Sequence, residues 1–95
     1  MARQSELIEL ARGFGLLSDG TRLGILKALV GGSKSVTALC GILGLKQPSV
    51  SHHLGILRMG RLVDGTRKGK SVLYSTDKTL LKELAAGIAK LTPKK

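Results

Sequence analysis

The sequence predicts a mainly α-helical domain with one small β-hairpin, in the order α-α-α-α-β-β-α. Three observations predict it. Residues 36–57, VTALCGILGLKQPSVSHHLGIL, carry an i, i+3, i+4, i+7 apolar spacing twice, with a glycine between the two stripes. Residues 61–75 change character to two short β-prone runs on either side of DGTRKGK. Further stripes of helical period stand near both ends of the chain. The 95 residues make one domain, 1–95, with a core unit at 19–76 and terminal helices at about 5–17 and 77–91.

The elements follow in order. Leu7, Leu10, Ala11, Phe14 and Leu17 form the stripe of a first helix from about Ser5 to Leu17. Ser18 or Asp19 offers an N-cap for a second helix over roughly Thr21 to Val30, with Leu23, Leu26, Leu29 and Val30 inward. Gly31-Gly32 stops that helix, and Ser33 to Ser35 connect. Val36, Leu39, Cys40 and Leu43 line one face of a third helix. Gly44 stands where a helix C-terminus favours a residue that takes positive φ. After Gln47 and Pro48, Val50, His53, Leu54 and Leu57 form the next stripe. Two short helices joined by a tight turn are a helix-turn-helix, whose second helix docks in the DNA major groove.

After Gly60, Arg61-Leu62-Val63 and Ser71-Val72-Leu73-Tyr74-Ser75 read as strands, with Asp64-Gly65 and Gly69 as turn residues. The hairpin tip carries Arg67, Lys68 and Lys70 and makes a wing, so the fold is a winged helix-turn-helix. Leu80, Leu81, Leu84, Ala85, Ile88 and Leu91 define a last helix from about Asp77 to Leu91. The terminal helices carry more apolar surface than so small a core covers, which predicts a C2 homodimer through them.

Charge points to the partner. Sixteen basic residues against six acidic ones give a formal charge of +10 and a pI near 10.4, which suits a polyanion. Lys46, Arg58, Arg61, Arg67, Lys68 and Lys70 fall within 25 residues that hold a single acid, Asp64. These six are the candidate phosphate and wing contacts. Gln47, Ser49, Ser51 and His52 are the candidates for base edges. His53 lies on the apolar stripe, packed against the core or reaching a backbone phosphate from its edge. The expected partner is double-stranded DNA, an operator with two half-sites in inverted repeat. Phe14 and Tyr74 are the only aromatic residues, too few for single-strand stacking. Lys94 and Lys95 read as a solvated tail.

Other classes fit less well. No carboxylate pair, phosphate-cradling glycine loop or Cys/His dyad suggests an enzyme. A winged-helix module for protein or RNA contacts is the alternative. It would expose an apolar patch on the second helix of the motif, where Ile56 and Met59 stand near the end. Glu6, Glu9 and Arg12 interrupt the N-terminal apolar residues, so neither a leader nor a membrane span is expected. A single cysteine excludes an internal disulfide framework and agrees with a cytoplasmic setting.

The segments LSDGTRLGILKALV, LGLKQPSVSHHLGILRMGRLV and GKSVLYS, over roughly residues 16–76, resemble the ArsR/SmtB family of bacterial winged helix-turn-helix repressors. Gln47 to Leu54 is the most specific part. The resemblance implies a homodimeric repressor joined through its terminal helices, whose operator affinity an effector usually lowers. It also implies two places for a metal. The thiolate motif of the family falls on Ser35, Thr37 and Ala38, none of which matches it. The last helix here has Asp77 and Glu83 but no histidine. No metal site and no cofactor are therefore expected, and no residue pattern points to a particular small-molecule effector. Cys40 reads as a small core residue, with a thiol switch or a soft-metal ligand as the alternatives. Lys46 stands where Ser or Thr often caps the recognition helix in the family, which predicts a weaker cap.

Overall fold

The computed structural model describes residues 2–93, with side chains from Ser5 onward. The expected Lys94–Lys95 tail lies outside the described residues. The elements are α1 (Ala2–Leu17), α2 (Gly20–Leu29), β1 (Lys34–Ser35), α3 (Val36–Leu43), α4 (Gln47–Met59), β2 (Val63–Lys68), β3 (Ser71–Thr76) and α5 (Lys78–Leu91). The predicted order holds, with one addition. Lys34 and Ser35 pair antiparallel with Tyr74 and Leu73, so the hairpin becomes a three-stranded sheet in the order β1-β3-β2. Two polar residues carry no period that a sequence pattern can register.

Caps set the helix starts. The Asp19 carboxylate accepts from the Arg22 amide at 3.0 Å, the Ser35 hydroxyl from Ala38 at 3.1 Å, and the Asp77 carboxylate from Thr79 at 3.0 Å. Asp19, not Ser18, is thus the cap of α2, and Asp77 is the cap of α5 and not its first residue.

The core joins Ile25, Leu26 and Leu29 of α2, Leu39 of α3, and Val50, Leu54 and Leu57 of α4 to Leu62 and Val63. Burial of each such side chain contributes about 1.5–3 kcal/mol. The predicted stripe of α2 needs correction. Leu23 is exposed and Val30 is 83% exposed, while Ile25 is fully buried. The inward positions are Arg22, Ile25, Leu26 and Leu29, an i, i+3, i+4, i+7 set whose first member is a cation. Leu26 and Leu29 are buried as expected, and the apolar pattern alone misplaced the other two positions.

The hairpin also differs from expectation. Asp64 and Gly65 are not turn residues. They lie in β2, paired with Ser75 and Tyr74, and the strand begins at Val63 rather than Arg61. Gly65 sits at a close approach: a Cβ there would stand 3.1 Å from both the Tyr74 ring and Val72, which would have to give way slightly. The turn is Gly69-Lys70, between the pair Lys68 and Ser71, with Gly69 at φ +61. Glycine at the first of two turn positions is the type II′ arrangement.

α1 and α5 pack against one another outside the main core. Leu84 sits over Gly13, and Leu10 sits over the buried Gly87; Cβ atoms there would come within 2.6 and 2.5 Å of the leucine methyl groups. These glycines let the helices approach closely. Leu7 and Ala11 of the predicted α1 stripe are exposed, as are Ala85, Ile88 and Leu91 of α5.

Candidate DNA interface

The helix-turn-helix is built by its turn. Gly44 adopts φ +67, and the amides of Gly44 and Leu45 both donate to the Cys40 carbonyl, at 2.8 and 3.2 Å. After Gly44, Leu45 and Lys46, α4 begins at Gln47. Pro48 in its first turn has no N–H to leave unpaired. Lys46 is the N-cap and supplies no side-chain hydrogen bond. With neither a side-chain cap nor an acid in its first turn, the positive end of α4 stays open to an anion.

At the other end, the Arg61 amide donates to the Arg58 carbonyl at 3.0 Å and the Leu62 amide to the Leu57 carbonyl at 2.9 Å. This is a Schellman motif, closed by the two buried leucines. It requires positive φ at Arg61, which has φ +61 and is the only such non-glycine residue among those described. A side chain in the left-handed region costs roughly 1–2 kcal/mol.

The faces of α4 separate cleanly. Val50, Leu54 and Leu57 are buried and His53 is half-buried. Gln47, Ser51, His52 and Arg58 are exposed, while Ser49 is half-buried. Two further residues of α4 are exposed: Gly55, which sequence reasoning passed over, and Met59, which it singled out only as apolar surface. Gly55 has no neighbour that a Cβ would touch, and Met59 is 88% exposed. Ile56 is half-buried, so the anticipated apolar pair reduces to a lone methionine beside Arg58. Arg67 and Lys68 end β2, and adjacent strand residues point to opposite faces of the sheet. Lys70 occupies the turn itself, and all three are exposed. Arg61 stands apart from these cations. It lines a small cleft with Asp77, Thr79, Leu80 and Glu83, beside the start of α5.

Behind α4 lies a polar contact that the sequence did not announce. The Arg22 Nε–H donates to the Leu16 carbonyl at 2.7 Å, and Arg22 Nη1 lies 3.3 Å from His53 Nδ1. The Arg22 amide hydrogen bond outweighs the opposing desolvation and, with the nearby Arg22 guanidinium and, when protonated, His53, holds the Asp19 carboxyl below the usual carboxylate range. His52 and His53 meet edge to face, with ring centroids 5.2 Å apart.

Cys40 is half-buried against the core. Among the described residues no three His, Cys, Asp or Glu side chains converge, and no helix is long and apolar enough to cross a membrane. A groove of about 850 Å³ runs between α1 and α5, floored by Leu7, Leu10, Leu80, Leu84 and Leu91. Its walls include Glu6, Glu9 and Glu83, which are all the glutamates in the chain.

This arrangement defines a winged helix-turn-helix DNA-binding regulator. Residues 19–64 match the family described as bacterial regulatory protein, arsR family. The transcriptional repressor SdpR of Bacillus subtilis is 36% identical over 70 residues, covering 74% of this chain and 78% of SdpR. The regulator KmtR of Mycobacterium tuberculosis is 38% identical over 71 residues, 75% of this chain and 55% of KmtR, so the chain spans little more than half of that relative. The homodimeric winged helix-turn-helix DNA-binding domain Mb0332 of Mycobacterium bovis, known from solution NMR, superposes with a TM-score of 0.76 at 28% identity, covering 94% of this chain and 82% of that one. The chain belongs to the ArsR family of bacterial transcriptional regulators.

Proposed function

We propose that this regulator is a homodimeric repressor that reads an inverted-repeat operator with α4 and grips the flanking phosphates with its basic hairpin. The observation that carries the reading is the exposed polar face of α4 at the centre of a sequence stretch holding six cations and one acid. Gln47, Ser51 and His52 contact base edges, with half-buried Ser49 in a lesser role. Lys46, Arg58, Arg67, Lys68 and Lys70 contact phosphates. Arg61 is left out of this set because it lies with the acids of the α5 cleft.

The apolar groove between α1 and α5 is the dimer face. Exposed Leu7 and Leu91 line it, exposed Ile8 and Ile88 lie on the same two helices, and a second copy covers such a face by C2 symmetry. SdpR is a repressor and Mb0332 is homodimeric, which supports both halves of the reading. No metal ion or cofactor takes part in it.

Footprinting on the DNA upstream of its own coding sequence tests the reading. The expected result is a protected inverted repeat with half-sites about one helical turn, ~10 base pairs, apart, and higher transcription from that promoter when the protein is removed. Absence of any protected site, or a fall in transcription on removal, overturns it.

A further inference from the structure

We propose that Arg22 is the positioning residue of the recognition helix α4, and that it holds His53 only while that imidazole is neutral. The proposal rests on the reading of α4 as the DNA-contacting helix. Arg22 is the one cation at an inward position of α2. Its Nε–H is fixed on the Leu16 carbonyl at the end of α1, at 2.7 Å, and its Nη1 reaches His53 Nδ1 at 3.3 Å. A guanidinium donates and never accepts. The contact is therefore a hydrogen bond only if Nδ1 keeps its lone pair and the imidazole proton sits on Nε2.

Three helices meet at this point. α1 supplies the Leu16 carbonyl; α2 supplies Asp19 and Arg22, joined by the amide-to-carboxylate bond of 3.0 Å; α4 supplies His53, with the His52 ring 5.2 Å away. His53 directly follows Ser51 and His52, the residues proposed to meet the bases, so rotation of α4 about this contact moves both. A proton added to Nδ1 removes the acceptor and sets imidazolium against guanidinium. Asp19 stays ionised across the imidazole range and attracts an imidazolium at His53, which offsets part of that repulsion but restores no hydrogen bond from Arg22. Acid is thus expected to release α4 from its seat and weaken DNA binding. For His52 alone, protonation on the exposed face would strengthen it.

The test uses the full chain carrying His52→Gln, so that one imidazole remains. Its affinity for a labelled duplex from the region upstream of its own coding sequence is measured at fixed ionic strength from about pH 7.5 to about pH 5.5, the interval over which an imidazole ordinarily titrates. The expected loss is about tenfold, the value of one hydrogen bond to a charged donor. Adding His53→Gln, whose amide oxygen accepts from Arg22 and does not titrate, is expected to abolish that pH dependence and keep the neutral-pH affinity. A His53→Gln chain that follows the same pH curve as its parent overturns the proposal. Long-range ¹H–¹⁵N spectra of the free protein give a second readout: unprotonated Nδ1 at neutral pH is expected, and a protonated Nδ1 on His53 overturns the contact whatever the DNA result. Failure of every variant to bind duplex at any pH overturns the reading of α4 instead, and the tautomer then decides the Arg22 contact.

Discussion

Ser51 is exposed near the start of α4, beside His52 and clear of the core. In the proposed complex a carboxylate there would face phosphate, and like charges juxtaposed at an interface cost several kcal/mol. Ser51→Glu is expected to lower duplex affinity by about 100-fold or more with an unchanged unfolding midpoint; anisotropy titration and thermal melting check the two halves. Arg61 makes the opposite kind of prediction. Glycine takes φ +61 without strain, so Arg61→Gly is expected to raise stability in urea unfolding by about 1 kcal/mol, with the salt dependence of DNA binding unaltered; a shallower salt slope would return Arg61 to the phosphate contacts. Asp19 contributes to the acid limit. Its carboxyl titrates lower folded than unfolded, so its contribution is present above the ordinary carboxylate value and is lost as pH falls through the folded value. Asp19→Ala is expected to lower the melting temperature at neutral pH and to flatten the decline below about pH 4; an unchanged acid limb contradicts the cap assignment. At this scale the sequence was only partly legible. Ser51 and His52 stood out through the stripe opposite them. Arg22 did not, because a cation inside an apolar period looks like an interruption, and Gly55 did not, because glycine suggests no DNA chemistry by type.

At the scale of elements, glycines separate two roles that look alike in sequence. Gly41 lies in α3 with open space around it, and Gly13 lies in α1 under Leu84. Replacing a helical glycine by alanine ordinarily gains about 0.5–1 kcal/mol, and Gly41→Ala is expected to show that gain. Gly13→Ala is expected to lose about 1 kcal/mol or more, since its methyl enters the space of Leu84; chemical unfolding of the two variants decides, and a gain at both positions contradicts the close α1–α5 packing. The hairpin is tested by charge. Arg67→Ala with Lys68→Ala is expected to shrink the dependence of log affinity on log salt by about two phosphate contacts, and an unaltered slope means that the wing stays off the backbone. The helices were legible because stops and periods agree, as at Gly44, although the caps Ser35 and Asp77 read as a connection and as a first helical residue. The sheet was less so. Asp64-Gly65 has the composition of a turn, yet long-range pairing with Ser75 and Tyr74 keeps it in a strand, and β1 exists only because β3 lies beside it.

At the scale of the whole molecule, charge is divided along the chain. The 25 residues from Lys46 to Lys70 carry six cations and one acid, whereas α1 balances Arg3 and Arg12 against Glu6 and Glu9. The particle is elongated, 47 × 24 × 21 Å. Two copies of charge +10 repel unless they meet where that charge is least, and the α1–α5 groove, with every glutamate of the chain on its walls, is such a place. Exposed Leu91 lines that groove and exposed Ile88 lies on the same helix; both belong to the terminal-helix surface that the proposed dimer would cover. Sedimentation velocity of the protein with a labelled duplex of its upstream region, in dilute buffer, measures the central claim directly. Two chains per duplex are expected; one chain per duplex, or no complex at low salt, contradicts the dimeric DNA-binding reading.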